Sequence, residues 1–188
     1  MTKVAAHEAK VQLDVERPTP QFQLPDSDST AEIALAQALK FCAQKMGLAG
    51  PETVTEYLRR GNRNARTYCH YSIARKVAES LGALDRKLKA VYLVDYDATP
   101  EDLCFSEGMQ VPLIHLIIWA ERKTNALDSL VTALDRALVK RYADLIGAHQ
   151  LAHLLDIHVV DDEDVKNRIG YGAMLSSLHN RPIQIWKR

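Results

Sequence analysis

A long amphipathic helix flanked by two β-rich segments constrains the fold of this chain more than any other feature. Between residues 124 and 146, apolar residues recur on one helical face, and Gly147 follows as a stop signal. Residues 111–119 before this helix and 154–160 after it are mostly apolar and are expected to be strands. A strand–helix–strand unit of this kind joins parallel strands. The sequence therefore predicts a sheet that is at least partly parallel.

The remaining periodicities predict three helices before this unit and a helix and a strand after it. Helices are expected at 29–46, 51–60, 64–81 and from 161 or 162 onward, and further strands at 88–95 and 182–186. Ser29 or Thr30 is expected to cap the first helix, and Gly82 to end the third. The order α-α-α-β-β-α-β-α-β predicts an α+β fold: a mixed sheet of about four strands with helices on one or both faces.

The chain is expected to form one domain behind a tail. Residues 1–28 contain three of the seven prolines and end in a polar run, which is typical of a disordered or loosely docked segment. Residues 29–188 are long enough, and apolar enough, to bury a single core.

Nothing in the sequence predicts secretion or insertion into a membrane. The start of the chain has no apolar run like that of a signal peptide, and the longest apolar stretch, 111–120, is shorter than the ~20 residues of a membrane span. The three cysteines (Cys42, Cys69 and Cys104) show no C-x-x-C spacing and are expected to be buried thiols. We expect a cytoplasmic protein without a membrane partner.

Charge is balanced overall but segregated along the chain. Lys and Arg together number 24, as do Asp and Glu, so the formal net charge is zero. Residues 57–76 nevertheless contain six basic residues and no acid, whereas 95–107 and 156–164 each contain five acids. This segregation indicates either solvated faces that partly neutralise each other or an anion-binding surface on the helical part of the chain.

The basic segment is the preferred candidate for a working surface. The predicted phosphate or carboxylate ligands are Arg59, Arg60, Arg63, Arg66 and His70, with Tyr68 and Tyr71 as groups that stack on bases. The expected protein is a non-enzymatic binding or regulatory domain. Its partner would be nucleic acid, a nucleotide or an acidic protein surface, including another copy of the chain in a homo-oligomer.

The third helix carries a polar interruption of its apolar stripe. Arg66 and His70 share a face with Ile73, Val77 and Leu81, because the spacings of three and four residues follow the helical repeat. Charged groups are rarely buried without partners. Either the helix extends beyond the core at this end, or the two side chains line a polar pocket.

An alternative function places the chemistry on carboxylates. Asp95 and Asp97 have D-x-D spacing at the end of a predicted strand, and Asp156 lies on another. Such a trio can hold Mg²⁺ or Mn²⁺ for phosphoryl transfer. It resembles the metal-binding trio of nucleotidyltransferases over these two strands, although the Gly-Ser turn ahead of the D-x-D pair is absent. The alternative is therefore a divalent-metal-dependent phosphoryl or nucleotidyl transferase.

No other cofactor is indicated. His149 and His153 have the i, i+4 spacing of a zinc pair, with His158 nearby, but there is no H-E-x-x-H motif. The sequence also lacks G-x-S-x-G, Walker-type and G-x-G-x-x-G motifs.

Overall fold

The computed structural model describes residues 26–94, 103–106, 109–177 and 181–188 of the 188. The helices are α1 (Ser27–Met46), α2 (Pro51–Arg59), α3 (Arg63–Leu84), α4 (Asn125–Ile146), α5 (Asp162–Asn167) and α6 (Tyr171–Leu175). The strands are β1 (Leu88–Val94), β2 (Leu103–Ser106), β3 (Met109–Pro112), β4 (Ile114–Ala120), β5 (Leu155–Val160) and β6 (Ile183–Lys187). None of the described helices is long and apolar enough to cross a membrane.

Four of these strands form one mixed sheet in the order β5-β4-β1-β6. β4 and β5 are parallel, as the strand–helix–strand pattern around α4 predicts, and β1 is antiparallel to both β4 and β6. The predicted α+β class, the element order and the four-stranded mixed sheet are confirmed.

Both faces of this sheet are covered, because β1 and β4 are apolar on both sides. Val91, Leu116 and Ile118 point into the main core, which they share with α1, α3 and α4. Tyr92 and Ile117 belong to a smaller cluster on the opposite face, where residues of α5 and α6 pack. The two central strands therefore lie between a thick helical layer and a thin one.

Small side chains let the helices of the thick layer approach closely. Along α1, Ala31, Ala34 and Ala38 are buried, and α1 packs more extensively on α3 than on any other element. The facing helix is similar, with Ala65 and Ala78 both inaccessible to solvent. Alanine ridges shorten the distance between helix axes, so α1 and α3 form a tight pair that supports the sheet.

Two predicted boundaries differ from the observed ones. Helix α1 begins at Ser27 and its cap is Asp26, whose side chain accepts a hydrogen bond from the backbone N–H of Asp28, so Ser29 and Thr30 are not caps. The predicted strand at 111–119 is split, because Pro112 ends β3 and the main-sheet strand starts at Ile114. A proline has no N–H for the ladder of a central strand. Strand β3 pairs with β2 in a separate two-stranded sheet that the sequence analysis did not predict.

The last predicted helix is two short helices. Asp161 caps α5 through a capping box with Asp164, and the chain leaves α5 through Arg168 in the left-handed conformation. Helix α6 then returns against α5, where a β-carbon on Gly172 would collide with the backbone of Asp164. The glycine permits this close approach, so it positions α6 rather than merely weakening a helix.

Gly82 has a different role from the one predicted. It lies inside α3, which continues to Leu84, and a β-carbon at this position would overlap the indole ring of Trp186 on β6. The glycine therefore makes room for a tryptophan that packs strand β6 against the helical layer.

This packing predicts that alanine at position 82 destabilises the protein, although alanine is normally the better helix residue. Alanine is normally the better helix residue by about 1 kcal/mol, yet we expect Gly82→Ala to lower the free energy of unfolding by about 2 kcal/mol through overpacking. In a Trp186→Ala background the same change should be neutral or stabilising. Urea denaturation of the wild type, the two single variants and the double variant measures both effects. If Gly82→Ala lowers the free energy of unfolding equally in both backgrounds, the contact between Gly82 and Trp186 is contradicted.

Candidate functional site

Four arginines meet where α2 turns into α3. Helix α2 ends at Arg59 with Arg60 as its C-cap, and Gly61 turns the chain. Asn62 caps α3 by accepting a hydrogen bond from the backbone N–H of Ala65. Helix α3 then begins with Arg63 and presents Arg66 one turn later. The arginine corner, as we call Arg59, Arg60, Arg63 and Arg66, thus results from a helix cap and a two-residue turn.

The two arginines of α2 are only weakly held. The Arg59 side chain donates through Nε to the backbone oxygen of Leu145, 2.9 Å away near the end of α4. Arg60 lies 3.8 Å from Glu56, and the two side chains are 78% and 64% exposed. Exposed pairs of this kind contribute about 0–1 kcal/mol. The Arg60 guanidinium can therefore be redirected to an external anion at little cost.

Arg66 differs from its neighbours because it is half-buried. Within the part of the chain that the structure describes, its side chain forms neither a hydrogen bond nor an ion pair. Its positive charge acts on the neighbouring imidazole of His70, whose pKa it helps to lower. A positive charge on a half-buried residue without a neighbouring acid can be compensated by an anion from outside.

His70 faces α4 instead of solvent. Its Nε2 lies 3.2 Å from the hydroxyl of Tyr142, which is buried, and the two ring centroids are 5.7 Å apart. Burial, and then the charge of Arg66, lowers the pKa of His70 from 6.5 to about 3. At neutral pH the imidazole is uncharged and shares a hydrogen bond with Tyr142. The polar end of the α3 stripe is thus packed against α4.

The tyrosines of the basic segment pack inside the protein. Phe41 on α1 lies 6.5 Å from Tyr68 in an edge-to-face arrangement and 6.0 Å from Tyr71 in a tilted one, between ring centroids. Both tyrosines are half-buried. Their contacts belong to the α1–α3 interface, which the sequence analysis did not foresee because nothing in the spacing links residue 41 to residues 68 and 71.

The other basic residues of α3 have acidic partners. Arg75 and Lys76 both lie 3.5 Å from the carboxylate of Glu79. This acid falls just outside the acid-free segment 57–76, and its spacing of three and four residues made the pairs predictable from the sequence. In this part of α3 the positive charge is therefore balanced within the helix.

The acidic segment around α5 is similarly engaged. Asp162 accepts hydrogen bonds from Lys89 Nζ at 2.6 and 2.7 Å and from Trp119 Nε1 at 2.9 Å. These bonds lower the pKa of the Asp162 carboxyl. Lys123 lies 2.7 Å from Asp164, and that hydrogen bond lowers the pKa of Asp164 in the same way. These carboxylates attach α5 to the sheet.

Asp156 forms a cluster with two histidines. One of its oxygens, Oδ2, lies 2.8 Å from His115 Nδ1 and 3.2 Å from His158 Nε2, so both imidazoles can donate to it. The ring of His158 stacks on Tyr171 with centroids 3.6 Å apart and planes 12° apart. The cluster orders β4, β5 and α6 around one carboxylate. His115 was missed as a partner because only the strand register brings it beside Asp156.

The predicted carboxylate trio is only partly within the described residues. Asp95 and Asp97 lie outside them. Val94 pairs with His115, and His115 pairs with Asp156, so β4 separates β1 from β5. Asp156 is thus not on the strand next to β1, as a trio from neighbouring strands requires. In the described ranges, no group of three or more His, Cys, Asp and Glu could hold a metal ion.

The histidines considered for zinc are dispersed. His149 lies 3.8 Å from Asp144, whereas His153 lies 2.8 Å from Asp135. Asp135 is buried on α4 and also accepts the backbone N–H groups of Leu154 and Leu155, at 3.0 and 2.9 Å. This carboxylate has a structural role, because it anchors the start of β5 to α4.

Comparison with known proteins does not assign the chain to a group: no family model matches it, and no significant match is found among curated proteins or solved structures.

The buried imidazole of His70 predicts a specific loss of stability in acid. Its folded pKa lies below 6.5, so between pH 6.5 and about 3 the unfolded chain binds a proton that the folded chain does not. The stability is therefore complete above pH 6.5 and falls as the pH is lowered toward 3. We expect a contribution of about 3 kcal/mol to this loss by pH 4.

Urea denaturation from pH 7 to pH 4 measures this contribution as a difference between proteins. His70→Gln should weaken the pH dependence, whereas His149→Gln, at an exposed position, should leave it unchanged. If the free energy of unfolding falls equally with pH in the wild type and in His70→Gln, His70 is not the titrating group.

Proposed function

We propose that this protein is a binding or regulatory domain whose arginine corner holds an anionic partner. The partner would be nucleic acid, a nucleotide or an acidic protein surface. The proposal includes no catalytic step. It assigns binding to Arg59, Arg60, Arg63 and Arg66 and leaves His70 and the tyrosines as supporting groups.

Arg66 carries the proposal. The residue is half-buried and its side chain has no ion pair in the described part of the chain, although Arg75 and Lys76 on the same helix share an acid. Positive charge without compensation in a partly desolvated position favours an incoming anion. The planar guanidinium also binds phosphate or carboxylate oxygens in pairs.

The surroundings of Arg66 support the same conclusion. Three further arginines lie within the eight residues 59–66, and those on α2 have only weak contacts. The corner also coincides with the first turn of a 22-residue helix, where the helix dipole is positive. These contributions add at one place on the surface.

Removing positive charge from the arginine corner should weaken binding, whereas removing the same charge elsewhere on α3 should have little effect. We expect Arg63→Ala with Arg66→Ala to weaken the binding of a labelled 20-nucleotide strand at least tenfold, because two phosphate contacts are lost. Fluorescence anisotropy at low salt measures the affinity.

The matched control is Arg75→Ala with Lys76→Ala, which removes the same charge from the same helix but from groups paired with Glu79. It should change the affinity by less than about threefold, and circular dichroism verifies that both variants fold. Equal losses in the two variants would show that net charge, and not the corner, governs binding.

The divalent-metal-dependent transferase remains a prediction, since Asp95 and Asp97 lie outside the described residues. Calorimetric titration with Mn²⁺ tests it directly. If the wild type releases or absorbs heat on binding Mn²⁺ and both Asp156→Asn and Asp95→Asn lose this signal, the result favours the enzyme. If the wild type shows no heat of binding at millimolar Mn²⁺, the enzyme is excluded.

A further inference from the structure

We propose that residues 11–16 of this chain form an additional strand on the free edge of β6. Strand β6 is the last strand of the main sheet: it pairs with β1 on one side, and no strand lies on its other side within the described part of the chain. Residues 11–16 lie outside the described ranges and are connected to α1 through residues 17–25. The β6 edge is at the opposite end of α3 from the arginine corner, because Trp186 packs on α3 at Gly82.

The β6 edge has apolar surface without cover from any described residue. Ile185 and Trp186 pack against the main core, whereas Ile183 at the start of the strand is 47% exposed. An edge strand also presents backbone N–H and C=O groups that a further strand can pair with. Its protection against strand addition is slight, since it consists of Lys187 at the last position and a register shift in the pairing with β1.

Basic residues without acidic partners surround the β6 edge. Arg181 precedes the strand, Lys187 and Arg188 end it, and all three are exposed. Arg188 donates a hydrogen bond to the backbone oxygen of Asp85, next to the exposed Arg86. None of these four basic side chains forms an ion pair with another residue of the described ranges. The edge therefore favours a strand that carries acidic residues.

Residues 11–16 have the sequence pattern of such a strand. The sequence Val-Gln-Leu-Asp-Val-Glu alternates strictly between apolar and polar residues and contains neither glycine nor proline. In an extended chain Val11, Leu13 and Val15 share one face, while the two acids, Asp14 and Glu16, lie on the other.

The two faces of β6 match the two faces of this segment. Ile183 pairs with Leu93, which packs on the main core, so the Ile183 side chain lies on the helical side of the sheet. Lys187 pairs with Ala90, which belongs to the smaller cluster, so its side chain lies on the opposite side. A strand whose apolar face continues the helical side would therefore place its two acids on the side of Lys187.

The connection through residues 17–25 is long enough to bring the segment to this edge. Cys42 near the end of α1 donates a hydrogen bond to the backbone oxygen of Ala65 at the start of α3, and the two helices pack extensively on each other, so they run in opposite directions. Helix α1 therefore begins beside the end of α3, where Gly82 lies against Trp186 of β6. Nine extended residues span up to about 30 Å, more than the ~17 Å of a five-residue strand.

Hydrogen–deuterium exchange of the full chain tests for the additional strand. In the wild type, the amides of residues 11–16 should exchange at least about tenfold more slowly than those of an unstructured peptide of the same sequence. Leu13→Pro removes an N–H from the strand, so it should abolish this protection and speed the exchange of residues 183–187. The matched control Val4→Pro, outside the segment, should change neither.

Two outcomes of this exchange experiment would overturn the proposal. One is that residues 11–16 of the wild type exchange as fast as the unstructured peptide. The other is that their protection increases with protein concentration, because a second copy of the chain would then supply the strand.

Charge reversal tests whether β6 is the partner of the segment. Asp14→Lys with Glu16→Lys should remove most of the protection of residues 11–16, and the addition of Lys187→Glu with Arg188→Glu should restore it. The matched control adds Lys40→Glu with Lys45→Glu on the exposed side of α1 and should not restore it. If both additions restore the protection equally, or if neither does, the segment does not pair with β6.

Discussion

The burial of β1 and β4 on both faces is the constraint on which the rest of the structure depends. A strand that is apolar on both sides needs cover on both sides, and here α1, α3 and α4 supply one layer while α5 and α6 supply the other. The parallel pairing of β4 with β5 follows from the α4 crossover. The connection from α2 to α3 lies beside the end of α4, where Arg59 donates a hydrogen bond to the backbone oxygen of Leu145, and Arg60, Gly61 and Arg63 are exposed to solvent.

Charge is distributed by local pairing more than by large opposing surfaces. Glu56, Glu79, Lys89 and Lys123 each neutralise neighbours that look uncompensated when the sequence is read in segments. Such pairs contribute little stability individually, but they determine which charges remain for a partner. The acids around α5 are engaged in this way, whereas Arg66 has no ion pair among the described residues.

The two sides of the sheet use buried polar groups differently. On the helical side, burial keeps His70 neutral beside Tyr142, so a residue that resembles a cationic ligand in sequence contributes to helix packing. On the other side, the Asp156 carboxylate binds His115 and His158 and ties together two strands and a short helix. In both places the hydrogen bonds satisfy groups that would otherwise be costly to bury.

The sequence by itself determined the features that depend on neighbours along the chain. Helical periodicity in α4, the α+β class and the clustering of four arginines within residues 59–66 all follow from local spacing. Tertiary structure decided what depends on residues far apart in the chain: the contact of Gly82 with Trp186, the packing of Phe41 on Tyr68, and the register that brings His115 to Asp156. Local spacing sets periodicity and turn chemistry, but pairing between distant elements is selected by the burial of the whole core. Only the folded protein therefore shows that Asp162 and Asp164 of α5 have basic partners, and that Arg66 has no acidic partner within the described residues.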